Sequence, residues 1–147
     1  MEQAVTKKGL NLLFEEDILL TDYVEYGFSL QDLVGGRPLP PEGARFDISF
    51  EGSLTGDRIK GTIKGVDYLE VRADGRFFLN LYARITTDDG AKILVEESGT
   101  NDHGDLKLQM RFHTNDERYA WLNQEQVMGL GRADFATGKA SVKGYSL

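Results

Sequence analysis

Residues 65–95 contain three runs in which apolar and polar side chains alternate, and two short turns join these runs. The turns lie at residues 73–75 (Ala-Asp-Gly) and 88–90 (Asp-Asp-Gly), so each contains the dipeptide Asp-Gly. Asp-Gly between alternating runs is a strong hairpin signal, because both residues tolerate the positive φ angles that a tight turn requires. The sequence therefore predicts an antiparallel β-meander in the middle of the chain.

Strand-like alternation continues on both sides of the meander. Leu106, Leu108 and Phe112, for example, alternate with polar side chains, which is typical of a half-buried strand. A capping-box pattern at Thr114 and Glu117 predicts one short helical turn near residues 115–123, and the prolines of residues 37–43 predict a stiff loop. The predicted strands are a long or bent one between residues 12 and 28, and others at residues 44–51, 58–64, 66–72, 76–86, 91–97, 105–113 and 139–147.

Many short antiparallel strands with little helix predict an all-β fold of about eight or nine strands. A closed barrel is the simplest such fold, because closure leaves no strand edge unpaired. A length of 147 residues suits one domain. We therefore expect a single antiparallel β-barrel domain over residues 1–147, with residues 1–11 as a flexible N-terminal segment. A barrel of about eight strands either holds one small ligand or is filled by its own side chains.

The charge and composition of the chain argue against several classes of function. Its 17 Lys and Arg stand against 24 Asp and Glu, a net charge of -7, so we expect no nucleic-acid partner. Cysteine is absent, and the acidic turn at residues 101–105 matches no metal-loop signature, so we expect no metal and no cofactor. No apolar run reaches roughly eighteen residues. We therefore expect a soluble, cytoplasmic protein without a membrane partner.

Four short blocks of the sequence stand out when they are taken together. They lie at residues 52–61, 67–75, 88–93 and 118–123, and the last reads Arg-Tyr-Ala-Trp-Leu-Asn. In this combination the chain resembles domain-of-unknown-function family 3237 over roughly residues 18 to 147. The resemblance implies a small β-barrel and supplies no reaction. Two departures from the family pattern are Tyr68, where Trp is common, and a segment between residues 99 and 111 that is shorter than usual.

Polar side chains on one alternating face of the meander are the candidate ligand-binding residues. If this face turns inward, it offers phenol, carboxylate, guanidinium and imidazole groups to a small molecule. If it turns outward, it is an ordinary solvent face, and Leu79, Leu81 and Ile85 fill the interior; alternation alone leaves both alternatives open. The candidate residues are Tyr68, Glu70, Arg72, Tyr82, Arg84, Arg111, His113 and, from the helical turn, Trp121.

Two classes of function fit such a pocket. The first is a binding protein for a small apolar or aromatic carboxylate or phenolic metabolite, which an Arg would fix. The second is a cofactor-independent lyase, isomerase or cyclase that uses Tyr, Glu, His or Arg for acid-base chemistry. A titratable residue buried against apolar neighbours would separate them, because catalysis requires a perturbed pKa and binding does not. The aromatic strand at residues 77–82 also favours a homodimer.

Overall fold

Eight antiparallel strands form one closed barrel in the computed structural model, which describes residues 9–146. Each strand pairs with the next along the chain, and the first strand also pairs with the last. The predicted all-β antiparallel barrel is therefore confirmed. The strands are β1 (Asn11–Glu25), β2 (Ala44–Thr55), β3 (Lys60–Val71), β4 (Phe77–Thr87), β5 (Lys92–Asp102), β6 (Asp105–His113), β7 (Val127–Asp134) and β8 (Lys139–Ser146).

The tight turns of the meander follow the Asp-Gly signal. Gly75 has φ +88° between β3 and β4, and Gly90 has φ +94° between β4 and β5. The Gly90 N–H donates to the Thr87 carbonyl, which closes the second turn. Positive φ at both glycines explains why the two hairpins form at these points.

Two strand predictions were wrong in detail. The short strands expected at residues 58–64 and 66–72 are one continuous strand, β3, which runs through Gly65. No strand was predicted at β7, because its pattern is inverted: Gly129 occupies an interior position while Met128 and Leu130 face outward. A Cβ atom at Gly129 would come within 2.8 Å of the Met110 Cε atom and 3.2 Å of Val142, so any larger residue there requires neighbouring side chains to shift.

A single 3-10 helix (Glu117–Gln124) closes one end of the barrel. Its Leu122 is completely buried, and the Arg58 guanidinium lies 3.6 Å above the ring of half-buried Trp121. The predicted helical turn is thus present, but its N-cap is Asp116, which accepts from the Arg118 N–H. Thr114 instead uses its hydroxyl to bond the Lys92 carbonyl, so it joins the helix to β5.

The opposite end of the barrel is open. The turns between β3 and β4, β5 and β6, and β7 and β8 surround it, together with a short helix α1 (Leu30–Val34) that the sequence analysis did not predict. Ser29 caps α1 by accepting from the Asp32 N–H. The flexible segment expected at residues 1–11 lies mostly outside the described residues, and Asn11 already belongs to β1. The extent of the single domain over residues 1–147 stays a prediction.

Candidate functional site

Three acidic side chains point into the apolar interior of the barrel. Glu16 on β1, Asp67 on β3 and Glu97 on β5 are only 4%, 6% and 4% exposed. They are the only charged residues among the buried ones in residues 9–146. Acidic residues are almost never this deeply buried without a partner, so the cluster is the most unusual feature of the molecule.

Strand register places the three carboxyls near one another. Asp67 pairs with Leu81 on β4, and Leu81 pairs with Glu97 on β5, so the two acids lie two strands apart on the same interior face. Glu16 reaches the interior from β1, where it pairs with Leu54 and with a residue of β8. The negative charge of Glu97 acts on Glu16, and that of Asp67 acts on Glu97.

The three carboxyls differ in their hydrogen bonding. Asp67 accepts from the Asn80 N–H at 3.1 Å, at a place where the ladder between β3 and β4 is interrupted. No described residue donates a hydrogen bond to the carboxyl of Glu16 or Glu97. Every fully enclosed side-chain oxygen in this part of the chain has a hydrogen-bond partner, so these carboxyl oxygens are not fully enclosed. The oxygens of both Glu residues are therefore open to the interior cavity.

Burial raises the pKa of all three acids, because an apolar interior solvates a carboxylate poorly. The pKa of Asp67 is raised to about 7 by burial, and the Asn80 N–H opposes that rise. Burial and then the neighbouring Asp67 raise the pKa of Glu97 to about 8. The pKa of Glu16 lies well above its ordinary value for the same reason, with Glu97 adding to it. Near neutral pH the cluster thus contains both protonated and ionised carboxyls.

The carboxyls line a cavity of about 60 Å³ in the middle of the barrel. Apart from the three acids and Asn101, its walls are apolar. The volume holds water or one small chemical group, and it is well below the 300 Å³ or more that is typical of a pocket for a whole metabolite. Any larger ligand must therefore extend beyond this cavity.

A broad groove of about 1700 Å³ lies over the open end of the barrel. The groove and the cavity share part of their walls, so the two spaces lie next to each other. The Phe135 side chain stands at this boundary and packs on Phe77, with 6.0 Å between the ring centroids. The shared residues are Ile18, Asn101, Ala133, Phe135 and Ala140.

The structure places the candidate residues from the sequence on the outside of the barrel. The interior positions of β4 belong to Leu79, Leu81 and Ile85, which are at most 9% exposed. The hypothesis that the polar face turns inward is therefore wrong, because barrel closure points the apolar face inside. The outward residues are Tyr68, Glu70, Arg72, Tyr82, Arg84, Arg111 and His113, and Trp121 lies half-buried at the plugged end.

Several of these outer residues contact one another rather than a cavity. The rings of Tyr68 and Tyr82 meet edge to face at 6.4 Å. Arg111 donates to Glu96 at 2.6 Å, and Arg72 bonds Asp74 at 2.9 Å, so both guanidiniums have carboxylate partners. A ligand-binding role for this outer surface stays a prediction.

Sequence reasoning missed Glu16, Asp67 and Glu97. Alternation could have identified two of them, because Glu97 shares a face of β5 with Ile93 and Val95, and Asp67 shares a face of β3 with Leu69 and Val71. Within residues 9–146, no group of three or more acidic or His side chains is placed to hold a metal ion. None of the helices in the same region has the length and apolar character needed to cross a membrane.

Solved structures share this architecture. The chain is similar to a β-barrel-like protein from Acinetobacter baumannii AYE, with a TM-score of 0.77 and 22% identity over 93% of this chain and 94% of that one. It is also similar to an enzyme from Penicillium herquei, with a TM-score of 0.74 and 22% identity over 93% of this chain and 92% of that one. At such identities the likeness establishes the fold alone.

Sequence comparison adds a relative and a family. The hydroalkoxylation enzyme phnH of Penicillium herquei is 35% identical over 79 residues, which cover 53% of this chain and 50% of that protein. The match thus spans half the length of that relative. The family described as "Protein of unknown function (DUF3237)" matches residues 35–146. The family resemblance is confirmed, and the chain belongs to the DUF3237 family.

Proposed function

We propose that this barrel is an acid-base enzyme that adds the O–H bond of an alcohol across an activated carbon–carbon double bond of an uncharged substrate, without a cofactor. The observation that carries this proposal is the set of carboxyls at Glu16, Asp67 and Glu97, buried in an apolar interior and open to a cavity. Buried acids that lie in a cleft and have perturbed pKa values are candidates for proton transfer.

Asp67 and Glu97 take complementary roles in this reaction. Ionised Asp67 accepts the hydroxyl proton while the substrate oxygen bonds to one carbon of the double bond, and protonated Glu97 gives its proton to the other carbon. One O–H bond and one π bond break, and one C–O and one C–H bond form. The proton now on Asp67 returns to Glu97 within the cluster, so the reaction requires no oxidant or reductant.

The same interior argues against a carboxylate as the ligand of the predicted binding protein. A bound carboxylate requires a cationic partner, and the buried charged residues in the described part of the chain are all acidic. Such an interior repels an anionic ligand and admits an uncharged one. The carboxyls also meet the criterion set above for catalysis, a titratable group buried against apolar neighbours.

The printed name of the Penicillium herquei relative supports the class of reaction. Hydroalkoxylation is the addition of the O–H bond of an alcohol across a carbon–carbon double bond, which needs one proton acceptor and one proton donor and no redox chemistry. The cavity would hold the reacting atoms, while the body of the substrate would lie in the groove at the open end. The homodimer and the cytoplasmic location stay predictions.

The proposal is tested with a hydroxy-enone, a methyl ketone whose hydroxyl group is tethered by three carbons to the β-carbon of its double bond. Ring closure gives a tetrahydrofuran and removes the enone absorbance. We expect the parent protein to accelerate closure, and Glu97→Gln to reduce the rate by at least about a hundredfold, because Gln has no proton to give.

Glu96→Gln is the matched control. Glu96 is the adjacent residue of the same strand, but it faces outward and bonds Arg111, so its replacement should leave the rate unchanged. Equal rates for the parent and Glu97→Gln, or equal losses in both variants, would contradict the proposal.

A further inference from the structure

Asn101 lies where the cavity meets the groove. It is the penultimate residue of β5, it is 7% exposed, and it lines both spaces. Among residues 9–146, it is also the only uncharged polar residue that lines the cavity. A substrate that extends from the groove into the cavity would pass directly beside its side chain.

The orientation of the Asn101 amide follows from the turn beside it. Asn101 Oδ1 accepts from the Gly104 N–H at 2.8 Å, which identifies the oxygen end of the amide. The turn itself is tight, because His103 and Gly104 have φ +52° and +98°. The Nδ2 group donates no hydrogen bond to a described residue. Asn101, which lines the mouth of the cavity, thus has a donor that no described residue uses.

We infer that Asn101 is a positioning and specificity-determining residue, whose Nδ2 group binds the carbonyl oxygen of an α,β-unsaturated carbonyl substrate. This inference rests on the proposed function and names the group that activates the double bond. A carbonyl oxygen only accepts hydrogen bonds, so it matches the Nδ2 group, which only donates them. The carboxyls change between donor and acceptor as they titrate, and so they select a carbonyl less well.

The donor also fits the electron flow of the addition. As the hydroxyl oxygen bonds to the β-carbon, the π electrons shift onto the carbonyl oxygen, and they return when the α-carbon receives its proton. The oxygen carries negative charge in between, and a preorganised N–H stabilises that charge more than it stabilises the ketone. Asn101 would thus orient the substrate and promote the step that Asp67 and Glu97 complete.

The experiment compares two uncharged probes of similar shape, acetophenone and ethylbenzene, which differ at the carbonyl group. Dissociation constants are measured by calorimetry for the parent, Asn101→Leu and Asn101→Ala. We expect acetophenone to bind the parent about three- to tenfold more tightly than ethylbenzene, the value of one good hydrogen bond. The ratio should fall to about one in both variants. General damage to the protein would weaken the binding of both probes and leave the ratio unchanged. Asn101→Ala takes the place of Asn101→Leu if Asn101→Leu does not fold.

Gly90→Ala, in the turn between β4 and β5, is the control for loss of stability. Its φ of +94° makes alanine strained, so the melting temperature should fall, while the amide of Asn101 in a different turn and the ratio stay as in the parent. A ratio near one in the parent, or a ratio retained in Asn101→Leu, overturns the role of Asn101 and leaves the carboxyl chemistry intact. Failure of the parent to bind either probe overturns the interior site, and with it both proposals.

Discussion

Two adjacent acids on β5 show that a shift of one strand position determines whether a carboxyl lies inside or outside the barrel. Glu96 faces outward and pairs with Arg111, whereas Glu97 faces the interior and lies among apolar side chains. The two residues are identical in the sequence, and they differ only in which side of the sheet they occupy. The strand period of two predicts that they face opposite sides, but it does not say which one is inside.

The free energy of unfolding should depend on pH because of these buried acids. Unfolded Glu97 loses its proton near its ordinary pKa of about 4.3, whereas folded Glu97 keeps it up to about 8. Between these values the folded state binds more protons, so its stability falls as pH rises. We expect the parent to lose about 1 kcal/mol or more between pH 5 and pH 8, measured by urea unfolding.

Glu97→Gln should flatten this dependence, and it should be more stable than the parent at pH 8. Asp67 and Glu16 keep their raised pKa values, so part of the slope should stay. Glu96→Gln should retain the full slope. A parent protein that gains stability over this pH range would show that the interior carboxyls are not protonated in the folded state.

At the scale of elements, the turn between β7 and β8 controls access to the cavity. Phe135 begins this turn, and the Gly138 carbonyl at its far end accepts from the Leu20 N–H, which extends the pairing of β8 with its neighbour β1 to the end of the turn. The ring of Phe135 packs on Phe77 and lines both the groove and the cavity. We therefore expect its size to limit which ligands enter.

Phe135→Ala should widen the mouth. We expect aryl ketones bulkier than acetophenone to gain affinity relative to acetophenone, because the removed ring leaves space beside the cavity. The half-buried position should limit the stability cost to about 1–3 kcal/mol, below the 3–5 typical of a fully buried phenylalanine.

Phe78→Ala is the comparison variant for the mouth. Phe78 is the neighbouring half-buried ring on β4, where it faces away from the cavity and the Arg72 guanidinium lies over it at 5.6 Å. It should lose stability without any change in ligand size preference. If Phe135→Ala lost the same affinity for every ketone, the result would contradict a role of Phe135 in access to the cavity.

The elements differ in how well the sequence predicted them. The Asp-Gly turns at Gly75 and Gly90 were recognisable, since they depend only on local backbone preference. Strand β7 was not, because Gly129 packs against Met110 of β6, which becomes its neighbour only when the two strands pair. Local patterns predict hairpins, and long-range packing decides where a strand accepts glycine.

At the scale of the whole molecule, the barrel has one plugged end and one open end. The 3-10 helix fills the first with Leu122, and the groove covers the second. The all-β barrel was predictable because eight alternating strands leave few other ways to bury their apolar faces. The interior acids were not predicted, because an acidic residue in a strand is ordinarily expected to face solvent. Only closure of the barrel shows that these three lie inside.

The most direct test of this account measures the protonation of Glu97 itself. Carbon-13 NMR of selectively labelled glutamate side chains follows each carboxyl carbon as pH changes, and Glu97→Gln identifies the signal. We predict that the pKa of Glu97 in the folded protein lies near 8, raised by burial and by Asp67. Titration near the ordinary glutamate pKa of about 4.3 would contradict the central claim that the barrel interior holds a proton donor at neutral pH.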